Sequence, residues 1–206
     1  LLLMDSESLT GSREESFRVG GDRPSVISDY KESVRYVRSS RGISAAILTI
    51  AIISTFGFPV VQQIIVFSEE VFKVSPFLFG LLGSAQGIGA VLAVPLVTGY
   101  VSFMKPSAQQ LIATVGYGFA VIIFAVAPSY SVAFCSLGIL GIMHLTSASN
   151  LNSVVQLQVD EEMRGRVMAI YLVGVLGPAP FAGLAMGWLV SSFGPRLVVA
   201  LSGSIL

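Results

Sequence analysis

The chain has 206 residues, of which 53% are hydrophobic and 12% charged, with a mean hydropathy of +0.81 and a formal net charge of zero. Soluble domains carry about a quarter charged residues, so this composition excludes one and points to a membrane protein. The single cysteine, Cys135, excludes an intramolecular disulfide and any cysteine-based metal site, and the zero net charge hides an asymmetry, since seven of the twelve Lys and Arg residues precede Gly42.

Leu1 to Leu3 precede Met4 and are too short for the apolar core of a signal peptide. They fit the tail of a preceding span, in which case the chain is a fragment. Residues 5–23 mix Ser, Gly, Glu and Arg with little apolar content, which predicts a flexible aqueous segment. Over 25–41, Ile27, Tyr30, Val34 and Val37 recur at helical spacing with Lys31, Arg35 and Arg38 beside them. Two readings stay open: a helix on the membrane surface whose basic side chains reach lipid head groups, or an ordinary amphipathic helix resting on other loops.

Gly42 to Ser68 is a run of 27 residues without Asp, Glu, Lys or Arg, where about 20 suffice to cross a bilayer. A first span over 43–67 follows, with Pro59, preceded by Gly57, expected to bend it. Glu69, Glu70 and Lys73 return the chain to water. The next uncharged run, Val74 to Met104, has 31 residues and predicts a span over 76–103 whose glycines admit a close neighbour. Pro106 to Val159 has 54 uncharged residues, enough for two spans, 108–127 and 131–157, divided at Ala127-Pro128-Ser129-Tyr130. The earlier is nearly all apolar. The later turns polar at His144, Thr146, Asn150, Asn152 and Gln156, so one is expected to face lipid and the other an interior.

Asp160-Glu161-Glu162-Met163-Arg164-Gly165-Arg166 is read as a tight loop, followed by a fifth span over 167–190 and the first half of a sixth over 197–206. With the amino-terminal segment in the cytoplasm, ten basic residues (seven before Gly42, Lys105, Arg164 and Arg166) lie inside, against Lys73 and Arg196 outside. That is the distribution that orients membrane proteins.

Asn152-x3-Gln156, then Arg164-Gly165-Arg166-Val167-Met168-x2-Tyr171, a Gly/Pro-rich span and Phe193-Gly194-x-Arg196 resemble the last three helices of the carboxy-terminal half of the major facilitator superfamily, more narrowly the bacterial branch of enterobactin and macrolide exporters. Tyr36-Val37-Arg38 ahead of Arg41-Gly42-Ile43 is similar to that branch's central cytoplasmic loop entering span seven. Two positions depart from it: Asp160 stands where the branch has proline, and only Gly99 and Lys105 remain of the motif between the second and third helices of a half. The resemblance implies an all-α integral membrane fold, namely spans 7–12 of a twelve-span transporter with the last one truncated. It implies residues 1–41 as a cytoplasmic central-loop segment and 42–206 as the bundle. It further implies secondary active efflux of an amphipathic small molecule of drug or siderophore type from the bacterial cytoplasmic membrane. The expected partners are that substrate, the lipid bilayer and the amino-terminal six-helix half, with no nucleic acid, metal or cofactor.

Gln62 and Gln86 lie in the two spans that by resemblance border a central cavity. His144, the one histidine, sits near mid-membrane, where a proton carrier and a neutral side chain bonded to a neighbouring helix are alternatives. Asn152 and Gln156 are four apart and share a helix face that must meet water or protein; Asn150 lies on another face. Arg164, Gly165 and Arg166 are candidates for a cytoplasmic gate, against plain orientation of the span by positive charge. Pro59, Gly177, Pro178 and Gly183 are candidates for kinks and close helix contact. An integral membrane enzyme would need a catalytic cluster, and the sequence has no His-x-x-x-His, no paired carboxylates in a span and no phosphate-cradling glycine loop. A non-transporting scaffold or inactive fragment is the remaining rival.

Overall fold

In hydrocarbon every backbone N–H and C=O must be satisfied internally, and a helix does so within one segment. The computed structural model describes residues 26–99 and 103–206, which are helices and their connections with no strand among the described residues. The helices are α1 (Val26–Ser39), α2 (Arg41–Val71), α3 (Pro76–Thr98), α4 (Pro106–Val126), α5 (Tyr130–Gln158), α6 (Arg164–Leu176), α7 (Pro178–Phe193) and α8 (Pro195–Ile205). Five stretches are long and apolar enough to cross a membrane: α2, most of α3, α4, α5, and α6 with α7 as one interrupted span, Glu161–Phe193. Proline stands in the first turn of α3, α4, α7 and α8, where its missing N–H costs no intrahelical bond.

The α5 helix is central. It packs against α3 on one flank and α4 on another, while α2 leans on it near its Arg164 end; α8 lies along α4, and α6 and α7 rest on α2. At the α3–α5 crossing the backbones touch: a Cβ on Gly89 would run into the Gly138 carbonyl, and one on Gly141 into the Gln86 carbonyl. The core continues through Phe67 and Phe124, whose ring centroids are 4.5 Å apart, and through Tyr117, fully buried in the notch left by Gly57.

Contacts divide the loops between two sides. Tyr36 meets Asp160, Asn150 meets Pro106, and Gln158 lies over Gly42, so α1, the α3–α4 connection and the α5–α6 turn share what we name the Arg164 side. Glu70 and Arg196 line one cavity on the opposite, Lys73 side.

Several elements differ from the sequence reading. In α2 a π turn stands directly before Pro59: it covers Ile53–Gly57 and is closed by the Phe58 N–H donating to Ile53 O. The sequence points to the proline and not to this wider turn, which is itself a place where helices kink. The α3 helix stops at Thr98, short of the expected 103, with Pro95 in its last turn; residues 100–102 of that expected span lie outside the described residues, as do residues 1–25. The fifth span begins earlier than expected, since Glu161–Met163 forms a 3-10 turn and Arg164 opens α6. Arg164 and Arg166 therefore stand on the first helical turn rather than in a loop. On α1, Val37 is buried as expected, but Tyr30 is 64% exposed. The rotation of α1 is set by its polar bonds to α6 and the α5–α6 turn, described below, and these bring Ser33 and Val37 inward.

Candidate functional site

The polar residues of α5 separate onto two faces. One face turns inward to α4. Asn150 Nδ2 donates to Pro106 O at 2.9 Å and to Gln110 Oε1 at 3.1 Å, and Gln110 Nε2 donates to Ser147 Oγ at 2.7 Å and to Thr114 Oγ1 at 2.9 Å. Apart from the Gln110–Thr114 bond within α4, these bonds hold two helices together, which is how a membrane bundle employs polar side chains. His144 belongs to this inward side too: half-buried, it sets its ring against Tyr117 of α4 with centroids 5.7 Å apart.

The other face carries Ser149, Asn152, Ser153 and Gln156, at spacings of three and four, and so forms one stripe. Ser149, Ser153 and Gln156 are exposed and Asn152 is half-exposed. The Gln156 amide donates to Asn152 Oδ1, a bond along the stripe itself. At about 1.5 Å per residue, the 29 residues of α5 extend well beyond the roughly 30 Å hydrocarbon core. The stripe occupies its last turns, from the interior of the span to the Arg164 side. Where the stripe lies within the hydrocarbon core, its polar groups cannot face lipid without a large desolvation cost. Ser149 and Ser153 were not singled out in the sequence; Ser149 three before Asn152 and Ser153 three before Gln156 were the available signal, masked because serine is ordinary in membrane helices.

The remaining cavity candidates stand apart. Gln62 is exposed on α2 beside Gly183 of α7, where a Cβ would come 3.0 Å from the Gln62 amide oxygen. Gln86 lies at the α3–α5 crossing, half-buried, its carbonyl against Gly141. Thus Gln62, Gln86 and His144 meet three different helices, and only Asn152 and Gln156 among the five are joined to each other.

At the Arg164 side, Arg164 and Gly165 are exposed and nothing lies within 4 Å of where a Gly165 side chain would start. Arg166 reaches back to α1: Nη1 lies 2.9 Å from Glu32 Oε2 and Nη2 lies 3.4 Å from Asp29 Oδ1. Its partners are thus on α1, not the neighbouring Glu161 or Glu162. Tyr36 Oη donates to Asp160 Oδ2 at 2.9 Å and accepts from the Asp160 N–H at 3.1 Å. Residues more than 120 apart in sequence are tied at one point, so α1 is docked onto the α5–α6 turn.

The span Glu161–Phe193 is interrupted at Gly177-Pro178, where proline cannot donate to the preceding turn. A Cβ on Gly177 would press on the Val173 carbonyl oxygen of its own helix, at 2.5 Å. Pro59 is buried, Gly174 faces Ile47 and Ile50 of α2, and Gly183 faces Gln62.

A family profile described as transmembrane secretion effector matches residues 22–205, nearly the whole chain. The chain belongs to this family, within the major facilitator superfamily. Membership accounts for the all-helical bundle and makes the chain a multi-pass membrane protein of the transporter class. No curated protein and no solved structure matches the chain.

Proposed function

We propose that the chain is the carboxy-terminal six-helix half of a secondary active exporter of the enterobactin and macrolide efflux type, moving an amphipathic small molecule out of the cell by alternating access. The observation that carries this reading is the stripe Ser149, Asn152, Ser153 and Gln156: polar, on a membrane-spanning helix, and exposed except for the half-exposed Asn152. Such a face is stable against water or against other protein, and a solute pathway between two rocking halves supplies both. The partners are the amino-terminal half, the bilayer of the cell membrane and the substrate. The ten-to-two distribution of basic residues supports placing the Arg164 side in the cytoplasm.

The test uses the complete gene product in sealed vesicles, with dye, macrolide and siderophore efflux followed with and without an imposed proton gradient. Gradient-dependent flux that falls in Gln156→Leu at equal amounts of folded protein is the expected result. Absence of flux across the panel overturns the transporter reading, and unchanged flux in the variant removes Gln156 from the pathway. For orientation, in a Cys135→Ala background an impermeant thiol reagent added outside is expected to label Ser75→Cys, whose position is exposed on the Lys73 side, and not Gly165→Cys. The reverse pattern inverts the topology.

A further inference from the structure

Two cavities on the Lys73 side share a wall formed by Phe193 and Leu197. The first, of about 410 Å³, is a groove between α7 and α8 that runs inward to Thr55 of α2. Met186, Val198 and Ser202 form its buried floor, while its rims, Leu201 among them, are exposed. Its hydroxyls are already satisfied: Thr55 Oγ1 donates to Ala51 O at 2.7 Å and Ser202 Oγ to Val198 O at 3.1 Å. The groove therefore offers no free hydroxyl donor, and the rest of its lining is apolar side chains, which suits hydrocarbon. From Leu197 to Ile205 it follows nine residues of α8, eight steps of about 1.5 Å or about 12 Å, descending from the interface toward the middle of α2.

The second cavity, also about 410 Å³, is its mouth, lined by Glu70 at the end of α2 and by Gly194 and Arg196 at the start of α8. Arg196 donates to the Ala127 and Ala125 carbonyls at 3.0 and 3.4 Å, which anchors it on the end of α4 and leaves three of its five N–H donors. The exposed Glu70 carboxylate faces the same space. An acid and a base thus flank the opening of an apolar groove at the level where lipid head groups lie.

We propose that this is a binding site for a phospholipid with a zwitterionic head group, its phosphate on Arg196, its ammonium at Glu70 and one acyl chain in the groove. Arginine presents a planar fork that matches phosphate oxygens. Glu70, with Glu69 beside it, disfavours a net anionic head. Because the tail leaves one hydrocarbon for another, selectivity comes from the head group.

The test is native mass spectrometry of the full chain, purified in mild detergent with equal amounts of phosphatidylethanolamine and phosphatidylglycerol. Preferential retention of phosphatidylethanolamine is expected. Glu70→Gln lowers that retention about two- to fivefold, the scale of one partly exposed ion pair, and Ala185→Trp, which fills the groove without touching the head-group residues, lowers it at least as far. Arg196→Gln lowers it too; since that change also uncaps α4, the first two variants carry the test, each checked for unaltered helix content and elution. Equal retention of phosphatidylglycerol by the unmodified chain overturns the proposal. So does retention indifferent to both Glu70→Gln and Ala185→Trp, the pattern expected if another transmembrane helix covers the groove.

Discussion

Replacing Gly141 with alanine asks how closely α3 is held to α5. A Cβ at that position would overlap the Gln86 carbonyl oxygen and lie 2.9 Å from its carbon and 3.0 Å from the Ala90 nitrogen. All three atoms are backbone, so no rotamer change relieves the contact and the helices must part. Overpacking of this kind costs about 1–3 kcal/mol, reduced by the roughly 1 kcal/mol by which alanine favours a helix over glycine. A net loss of up to about 2 kcal/mol is expected. Gly83, on α3, has nothing within 4 Å, so Gly83→Ala keeps the helix-propensity gain of up to about 1 kcal/mol. That gain is common to both single-methyl variants, so they should differ by the overpacking cost alone, about 1–3 kcal/mol. Gly89→Ala should resemble Gly141→Ala, and the pair should combine less than additively because both glycines serve one crossing. The assay is unfolding by increasing mole fraction of dodecyl sulfate in mild-detergent micelles, followed by helix circular dichroism. If Gly141→Ala unfolds at the same or a higher mole fraction than Gly83→Ala, the crossing is not backbone-limited and the reasoning fails.

Arg166→Gln removes both ion pairs to α1; with side chains 31–63% exposed, each pair contributes about 0.2–1 kcal/mol. Amide exchange of Val26–Ser39 should accelerate severalfold while α4 and α5 are unchanged, and about 1 M salt should reproduce the effect in the unmodified chain; exchange insensitive to both would show that α1 is held by packing and the Tyr36–Asp160 bonds without the ion pairs. Gly194, at φ +84° between α7 and α8, should lose about 1–2 kcal/mol on substitution by alanine, read as a lower transition in the same dodecyl sulfate titration. Asn150→Leu breaks two bonds to α4 and should cost about 1–2 kcal/mol, whereas Ser153→Leu, on the open stripe, should leave stability of the chain within about 0.5 kcal/mol; equal losses would contradict the division of α5 into two faces.

Much of the fold was legible because solvent dictates it. Charged residues end spans wherever they occur, and runs of 27, 31 and 54 uncharged residues leave no alternative to crossing hydrocarbon, so the number of spans and their alternation between two sides followed from composition alone. The identity of Asn152 and Gln156 as one face was equally accessible, since helical spacing is a property of the backbone. The π turn before Pro59 was less so, because a helix can accommodate a proline in several ways and the neighbours choose, here with Gly57 seated against Tyr117.

Tertiary structure decided which polar face is open and which is sealed. Asn150 and Asn152 are the same residue type two positions apart, yet Asn150 is bonded into α4 and Asn152 looks outward, a distinction that depends on where a helix 40 residues earlier in the chain is placed. In the same way Arg166 found Asp29 and Glu32 instead of its sequence neighbours, and Glu70 and Arg196, from opposite ends of the bundle's sequence, came to flank one groove. Spacing along a helix specifies which side chains share a face, because rise and twist are fixed by backbone hydrogen bonding. What that face meets is settled only when the helices pack, because packing is a competition among all of them for the same close contacts.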